Sequence, residues 1–204
     1  MSIEEFNILI AGVGGQGGLT LSRIIGHAAV LEGYRLRIGE TLGMSQRGGA
    51  VVSFVRFGNR VFSPLIPERD ADILFGLEPI EALRNIKFVG EKTAVILNIR
   101  KIPPLIVNLG LRKYPDLEEI LSFFKKITSR IHSYDFSIEA QKLGSIRVMN
   151  TIMLGAAFGL GLIPLKSESI EQGIRSVVPR KYLELNLKAF EVGKKIGKGL
   201  FSFD

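Results

Sequence analysis

Phe6-Asn7-Ile8-Leu9-Ile10-Ala11-Gly12-Val13-Gly14-Gly15-Gln16-Gly17-Gly18 is the stretch on which the reading of the fold turns. A mostly apolar run from Phe6 to Ala11 ends in a glycine loop, and Leu21, Ile24, Ile25, Ala28 and Leu31 then recur at helical spacing. The order strand, glycine turn, helix is an α/β opening. Gly12, Gly14 and Gly17 have the G-x-G-x-x-G spacing in which backbone N–H groups and a helix N-terminus hold a phosphate, with Gly15 and Gln16 between them. The same glycines also suit a tight turn and close helix-to-sheet packing with no ligand, so the loop alone leaves both roles open. A dinucleotide site wants an acid at the end of the second strand, about 20 residues on. Glu40 is the acid available, and it comes a little late.

Outward from the loop, Gly33 is placed to end the first helix, and Tyr34 to Thr41 reads as a second strand. Ala50 to Phe57 alternates as a strand and is expected to return through Gly58-Asn59 into Arg60 to Phe62, a hairpin that makes the sheet mixed. Ile73 to Leu77, Ala94 to Leu97 and Leu105 to Asn108 are expected as further strands, with a helix over Pro79 to Lys87. Tyr114-Pro115-Asp116 starts an amphipathic helix through Leu117, Ile120, Leu121 and Phe124; Ser129 to Tyr134 is a strand, followed by a helix around Glu139. Helices are expected over 147–163, 167–177 and 180–198. The fold class is therefore α/β, a layered single domain over 1–204 with a mixed, largely parallel sheet and a helical C-terminal third. No repeat or linker divides it.

With no cysteine among 204 residues, disulfides, thiolate catalysis and cysteine ligation of zinc or iron–sulfur clusters are excluded for this chain. Any electron transfer through clusters requires another chain to carry them. The polar, acidic start from Met1 to Asn7 lacks the pattern of a signal peptide, so a cytoplasmic location is expected. The apolar run Ile152 to Leu165 is broken by Gly155, Gly159 and Gly161 and is shorter than the roughly 20 residues that span a bilayer, so it reads as a buried helix with no membrane role. The spacing of Gly155 and Gly159 lets two helices approach closely.

Most of the net charge of +7 lies in the C-terminal half, where Arg180, Lys181, Lys188, Lys194, Lys195 and Lys198 concentrate on the last expected helix. These either form a solvated face or attract an acidic partner or a phosphorylated cofactor. Nucleic acid is not an expected partner, because no stacking aromatics interleave with the cations. His27, inside the first helix, and His132, inside a strand, are read as structural.

Gly43-Met44-Ser45-Gln46-Arg47-Gly48-Gly49 is the second informative loop, because it sets a guanidinium among glycines. Arginine presents a planar, permanently charged fork that suits a carboxylate or a phosphate. Arg47 is the first functional candidate, with a structural pairing to Glu40 as its bland counterpart. Gln46 can present an amide to the same ligand; Gly43, Gly48 and Gly49 permit close backbone approach, and Met44 can line an apolar pocket. Asn150 and Asn186 are polar amides within apolar helices and are expected to bridge helices or satisfy loop carbonyls.

Taken together, the glycine loop, Gly39 to Gly49, Val51 to Gly58 with Arg56 near its end, Asn150 to Ala156 and Asn186 to Gly193 resemble the gamma-type subunit or domain of 2-oxoacid:ferredoxin oxidoreductases over nearly the whole chain. Gly-Met-Ser-Gln-Arg at 43–47 is similar to the indolepyruvate branch of that family; Leu42 and Gly18 depart from its usual residues. The resemblance implies a Rossmann-like opening and a multisubunit enzyme that decarboxylates a 2-oxoacid on thiamine diphosphate, passes two electrons through iron–sulfur clusters to ferredoxin and releases an acyl-CoA. It implies that thiamine diphosphate, magnesium and the clusters sit in a larger partner subunit, that coenzyme A is the co-substrate, and that this chain completes the site at the interface. Pyruvate, 2-oxoisovalerate or 2-oxoglutarate are the alternative substrates; a free-standing nucleotide binder is the alternative function.

Overall fold

The computed structural model describes residues 3–41 and 49–201. Among them a six-stranded sheet has the order β2-β3-β1-β4-β5-β6, with β1 at Phe6–Val13, β2 at Arg35–Glu40, β3 at Ala50–Gly58, β4 at Ala71–Gly76, β5 at Val89–Asn98 and β6 at Ile131–Tyr134. β1, β4, β5 and β6 pair in parallel, while β3 pairs antiparallel with both β1 and β2. The mixed α/β layering expected from the sequence is what forms.

β1 is central and buried on both sides. Ile8 and Ile10 face one core while Leu9 and Ala11 face the other, which is why the strand reads as an unbroken apolar run. The first face is covered by α1 (Gly18–Leu31), α5 (Phe136–Lys142), α6 (Met149–Gly159), α7 (Ser167–Val177) and α8 (Leu183–Phe201), and the second by α2 (Pro79–Arg84) and α4 (Leu117–Lys125). At the edge, β2 keeps Arg35 and Arg37 exposed, which discourages pairing with another chain. Gly33, at φ 85, closes α1 as expected: its N–H donates to Val30 O and the Tyr34 N–H to Ala29 O.

Two local expectations are corrected. Arg60 to Phe62 forms no return strand, because β3 is already paired on both edges and offers no ladder; the Asn59 and Arg60 N–H groups donate to Ile3 O and Glu4 O instead. Leu105 to Asn108 is not a strand but the short helix α3 (Leu105–Asn108). β5 lies between β4 and β6, so no edge is free there, and the preceding Pro103 and Pro104 have no N–H to give a ladder.

The spacing of Gly155 and Gly159 serves core packing. A Cβ on Gly155 would stand 2.2 Å from Phe190 O, and one on Gly193 of α8 would stand 2.1 Å from Ile152 O. α6 and α8 therefore cross backbone to backbone. Arg56 is also structural: it is buried at the start of β1, opposite Asn7, where its Nε donates to Asn7 Oδ1 (2.8 Å), its Nη1 to Ser63 O and Leu65 O, and its Nη2 to Glu5.

Candidate functional site

The C-terminal ends of the parallel strands carry the glycine loop. Gln16 folds back into it: Oε1 accepts from the Val13 N–H (2.7 Å) and Nε2 donates to Leu77 O (2.9 Å), so its amide shapes the loop and joins it to the end of β4. Gly12 must be glycine for this, since a Cβ there would lie 2.8 Å from Gln16 Oε1. Gly17, at φ 83, is the N-cap of α1, and its carbonyl accepts from Asn150 Nδ2 at 2.7 Å. The chain of bonds continues: Asn150 Oδ1 accepts from the Thr151 N–H, Thr151 Oγ1 donates to Asn186 Oδ1 (2.7 Å), and Asn186 Nδ2 donates to Tyr182 O (2.9 Å). Both asparagines thus have the bridging role expected of them. Gly15 is different, because a Cβ there would meet nothing within 4 Å. Gly12 and Gly17 serve packing, while Gly15 faces open space.

Two clefts, each of about 380 Å³, flank the loop and share Gly15, Gly17 and Thr20. The first lies between the strand ends and α1, with Val13, Leu19, Val51 and Leu77 giving it an apolar wall. Ser53 of β3 also lines it; the hydroxyl is buried at 1% exposure and has no hydrogen-bond partner among the described residues. A buried, unpaired hydroxyl is costly, by about 1–3 kcal/mol, and marks a place where a ligand atom gains by binding. The first turn of α1 has no acidic residue and no side-chain cap, so the N–H groups of Gly18, Leu19 and Thr20 present partial positive charge at the same cleft.

The second cleft was not foreseen. It gathers the N-terminal ends of α1, α6 and α8, together with Ser145, Arg147 and Tyr182. α6, like α1, has neither a side-chain cap nor an acid in its first turn. Arg147 precedes α6, and Arg180 and Lys181 precede α8, places where the helix dipole disfavours a cation by about 0.3–1 kcal/mol. Lys181, through a hydrogen bond and its charge, with Arg147 adding to it, holds the Tyr182 phenol below its usual range. The ensemble is electropositive and suits an anion. The signal was present in the sequence as cations on the wrong end of two helices; only the fold shows that Arg147, and Lys181 through Tyr182, act on the cleft beside the glycine loop.

The other sequence candidates fall as follows. Glu40 ends β2, opposite Ser53, and β3 separates it from β1, so it stands two strand spacings, about 10 Å, from β1, one spacing further than the acid of a dinucleotide site, whose second strand lies directly beside the first. Gly14 donates its N–H to Gly49 O at 2.8 Å, which ties the glycine loop to the far end of the second loop. Thr41, at the near end, lines the first cleft. Gly43, Met44, Gln46, Arg47 and Gly48 lie outside the described residues. Neither His27 nor His132 lines either cleft.

The whole arrangement matches a known pattern. Residues 7–196 match the family described as pyruvate ferredoxin/flavodoxin oxidoreductase. The chain belongs to that family. It is 46% identical to the indolepyruvate oxidoreductase subunit IorB of Archaeoglobus fulgidus over 93% of this chain and 94% of that one. The fold is shared with the gamma subunit of a keto/oxoacid ferredoxin oxidoreductase from Geobacter sulfurreducens (TM-score 0.68, 23% identity, 95% of this chain and 99% of that one). It is also shared with part of the 2-oxoglutarate:ferredoxin oxidoreductase of Magnetococcus marinus, solved with 2-oxoglutarate, coenzyme A and succinyl-CoA bound (TM-score 0.71, 20% identity). This chain covers 96% of its own length there but 31% of that longer chain. Within the family, this chain is thus a small, gamma-type subunit of a 2-oxoacid:ferredoxin oxidoreductase, an oxidoreductase as part of a complex. Among the described residues no helix is long and apolar enough to cross a membrane.

Proposed function

We propose that this chain, acting as one unit in the cytoplasm, completes the coenzyme A and 2-oxoacid site of an indolepyruvate or related arylpyruvate:ferredoxin oxidoreductase. The observation that carries the reading is the electropositive cleft beside the glycine loop. An anionic group of coenzyme A, or the oxoacid carboxylate, is held there by Arg147 and the uncapped helix ends. The neighbouring apolar cleft, with the Ser53 hydroxyl, takes a less polar arm of the same ligand. The second loop, whose described ends are Thr41, lining the apolar cleft, and Gly49, bonded to the glycine loop, supplies Arg47 and Gln46 as further contacts, with Gly43, Met44 and Gly48 beside them in sequence.

Iron–sulfur clusters do not fit this chain, which has no cysteine, and among the described residues no three His, Cys, Asp or Glu side chains gather as a metal site. The clusters, magnesium and thiamine diphosphate belong, on this reading, to a larger subunit, where thiamine diphosphate would supply the decarboxylation chemistry and the clusters a path for electrons to ferredoxin. This chain binds and orients, and it is inactive alone. The free-standing dinucleotide binder is disfavoured by the displacement of Glu40.

The test is co-expression with the thiamine-binding large subunit and assay of viologen reduction with indolepyruvate, phenylpyruvate, pyruvate, 2-oxoisovalerate and 2-oxoglutarate, with and without coenzyme A. Aryl oxoacids are expected to be preferred. A large subunit that is fully active by itself would refute the reading; preference for pyruvate, 2-oxoisovalerate or 2-oxoglutarate would correct the substrate and leave the rest.

A further inference from the structure

Between β5 and α4 the chain makes a projection that the cleft does not use. Within ten residues it exposes Ile102, Leu105, Ile106, Leu109 and Leu111, with Leu105 and Leu111 at 72% and 71%. Buried apolar side chains are the rule in a core, and scattered exposed ones are ordinary; five large aliphatics in one short projection are neither. Around them stand Arg100, Lys101, Arg112 and Lys113, with no acid between Arg100 and Lys113.

The projection is built rather than slack. Helix α3 is closed by Gly110 at φ 73, whose N–H donates to Val107 O (2.9 Å), while the Leu111 N–H donates to Ile106 O (3.1 Å). Both of its ends are tied to one buried carboxylate. Glu78 Oε1 accepts from the Ile102 N–H (3.1 Å) and from the Tyr114 hydroxyl, and Oε2 accepts from the Glu81 N–H (3.0 Å). Burial and the Glu78 bond raise the Tyr114 phenol above its usual range, so it stays a donor. Glu78 directly follows Leu77, which walls the apolar cleft and accepts the Gln16 amide. The base of the projection is therefore linked through Glu78 and Leu77 to the glycine loop.

We propose that residues 102–111 are the knob by which this subunit seats in an apolar groove, rimmed with carboxylates, on the larger subunit of its complex. The proposal rests on the subunit reading above. Charge selects the occupant. A second copy of this chain would bring the same four cations against themselves across a two-fold axis, which disfavours self-association. An anionic bilayer would also attract the cations, but surface-lying segments present a helix with an extended apolar face, and α3 has four residues. An apolar groove with an acidic rim satisfies both features of the knob. In the longer Magnetococcus marinus protein the same fold is covalently part of a larger chain; a separate subunit needs a surface to do the work of that link.

The experiment compares the wild-type chain with Leu105→Glu/Leu109→Glu/Leu111→Glu in titrations against the thiamine-binding large subunit. The single variant Leu105→Glu is the companion, and Phe62→Glu, at an equally exposed apolar site outside the knob, is the control. The triple variant should bind at least about 100-fold more weakly and the single one about 10-fold, with unchanged melting of the isolated chain, while the control stays within about twofold. Replacing the four cations by Gln should slow association about 10-fold at low salt and flatten its salt dependence. Triple-variant binding within about threefold of wild type would overturn the proposal. So would wild-type sedimentation with vesicles of equal parts phosphatidylcholine and phosphatidylglycerol, or dimerisation of the wild type that the triple variant loses. If both chains assemble and turn over oxoacid equally, the knob falls and the subunit reading stands; if the wild type never associates with the large subunit, both fall.

Discussion

Asn150→Ala tests whether the fold positions the glycine loop from the helical layer. The Asn150 side chain is 2% exposed, donates to Gly17 O at 2.7 Å and accepts from Thr151, which in turn holds Asn186. Truncation leaves the Gly17 carbonyl without this donor and opens a small space, a loss of about 2 kcal/mol. For a chain of this size that corresponds to a fall in Tm of about 4–8 °C. The functional loss should be larger than the structural one, because a reacting or binding group displaced by about 1 Å can lose up to about 100-fold. The assay is therefore double: melting of the isolated chain, and kcat/KM of the assembled enzyme well below Tm, where at least about a 10-fold loss is expected. Asn150→Asp sharpens it by replacing the donor with an acceptor. An unpaired buried carboxyl has a folded pKa above its unfolded one, so this variant should be more stable below about pH 4 and lose stability as pH rises. A fall in Tm under about 1 °C with wild-type kcat/KM would refute the reasoning that Asn150 holds the loop.

Other expectations follow from the same structure. Gly193→Ala sets a methyl 2.1 Å from Ile152 O, with only backbone to yield, so α6 and α8 must separate; a loss of about 3 kcal/mol or more is expected in urea unfolding, and a near-neutral result would contradict the crossing geometry. Arg147→Ala should leave Tm within about 1 °C and raise KM for coenzyme A or the oxoacid about 10-fold in the assembled enzyme, whereas unchanged KM for both would remove Arg147 from the site. Burial holds the Glu81 carboxyl above its usual range against the opposing pull of Arg84. A carboxyl with a raised folded pKa stabilises most below its unfolded value and loses that contribution as pH rises through the window up to the folded one. Arg84→Ala should therefore lower Tm more at pH 7 than at pH 4, and equal losses at both would argue against this pairing.

What the sequence determined by itself was local: the strand–glycine loop–helix opening, the glycine that closes α1, the helices of the C-terminal third, and the two amides that needed partners. These follow from periodicity, backbone freedom and the cost of burying an unpaired amide, which neighbouring residues largely decide. Pairing partners were decided elsewhere. β3 takes both of its edges from strands on either side, and this removes the expected return strand at 60–62 and carries Glu40 away from β1. Leu105 to Asn108 has strand-like composition, but the strand it follows, β5, is already paired on both sides, and two prolines and a glycine shape the segment into a short helix. Arg147 and Tyr182, 35 residues apart, line one cleft with Gly15 only because the backbone contact of α6 with α8 brings two helix starts to the strand ends. Local chemistry wrote the elements, but sheet order and helix crossing are set by contacts distant in sequence, and those alone made the site.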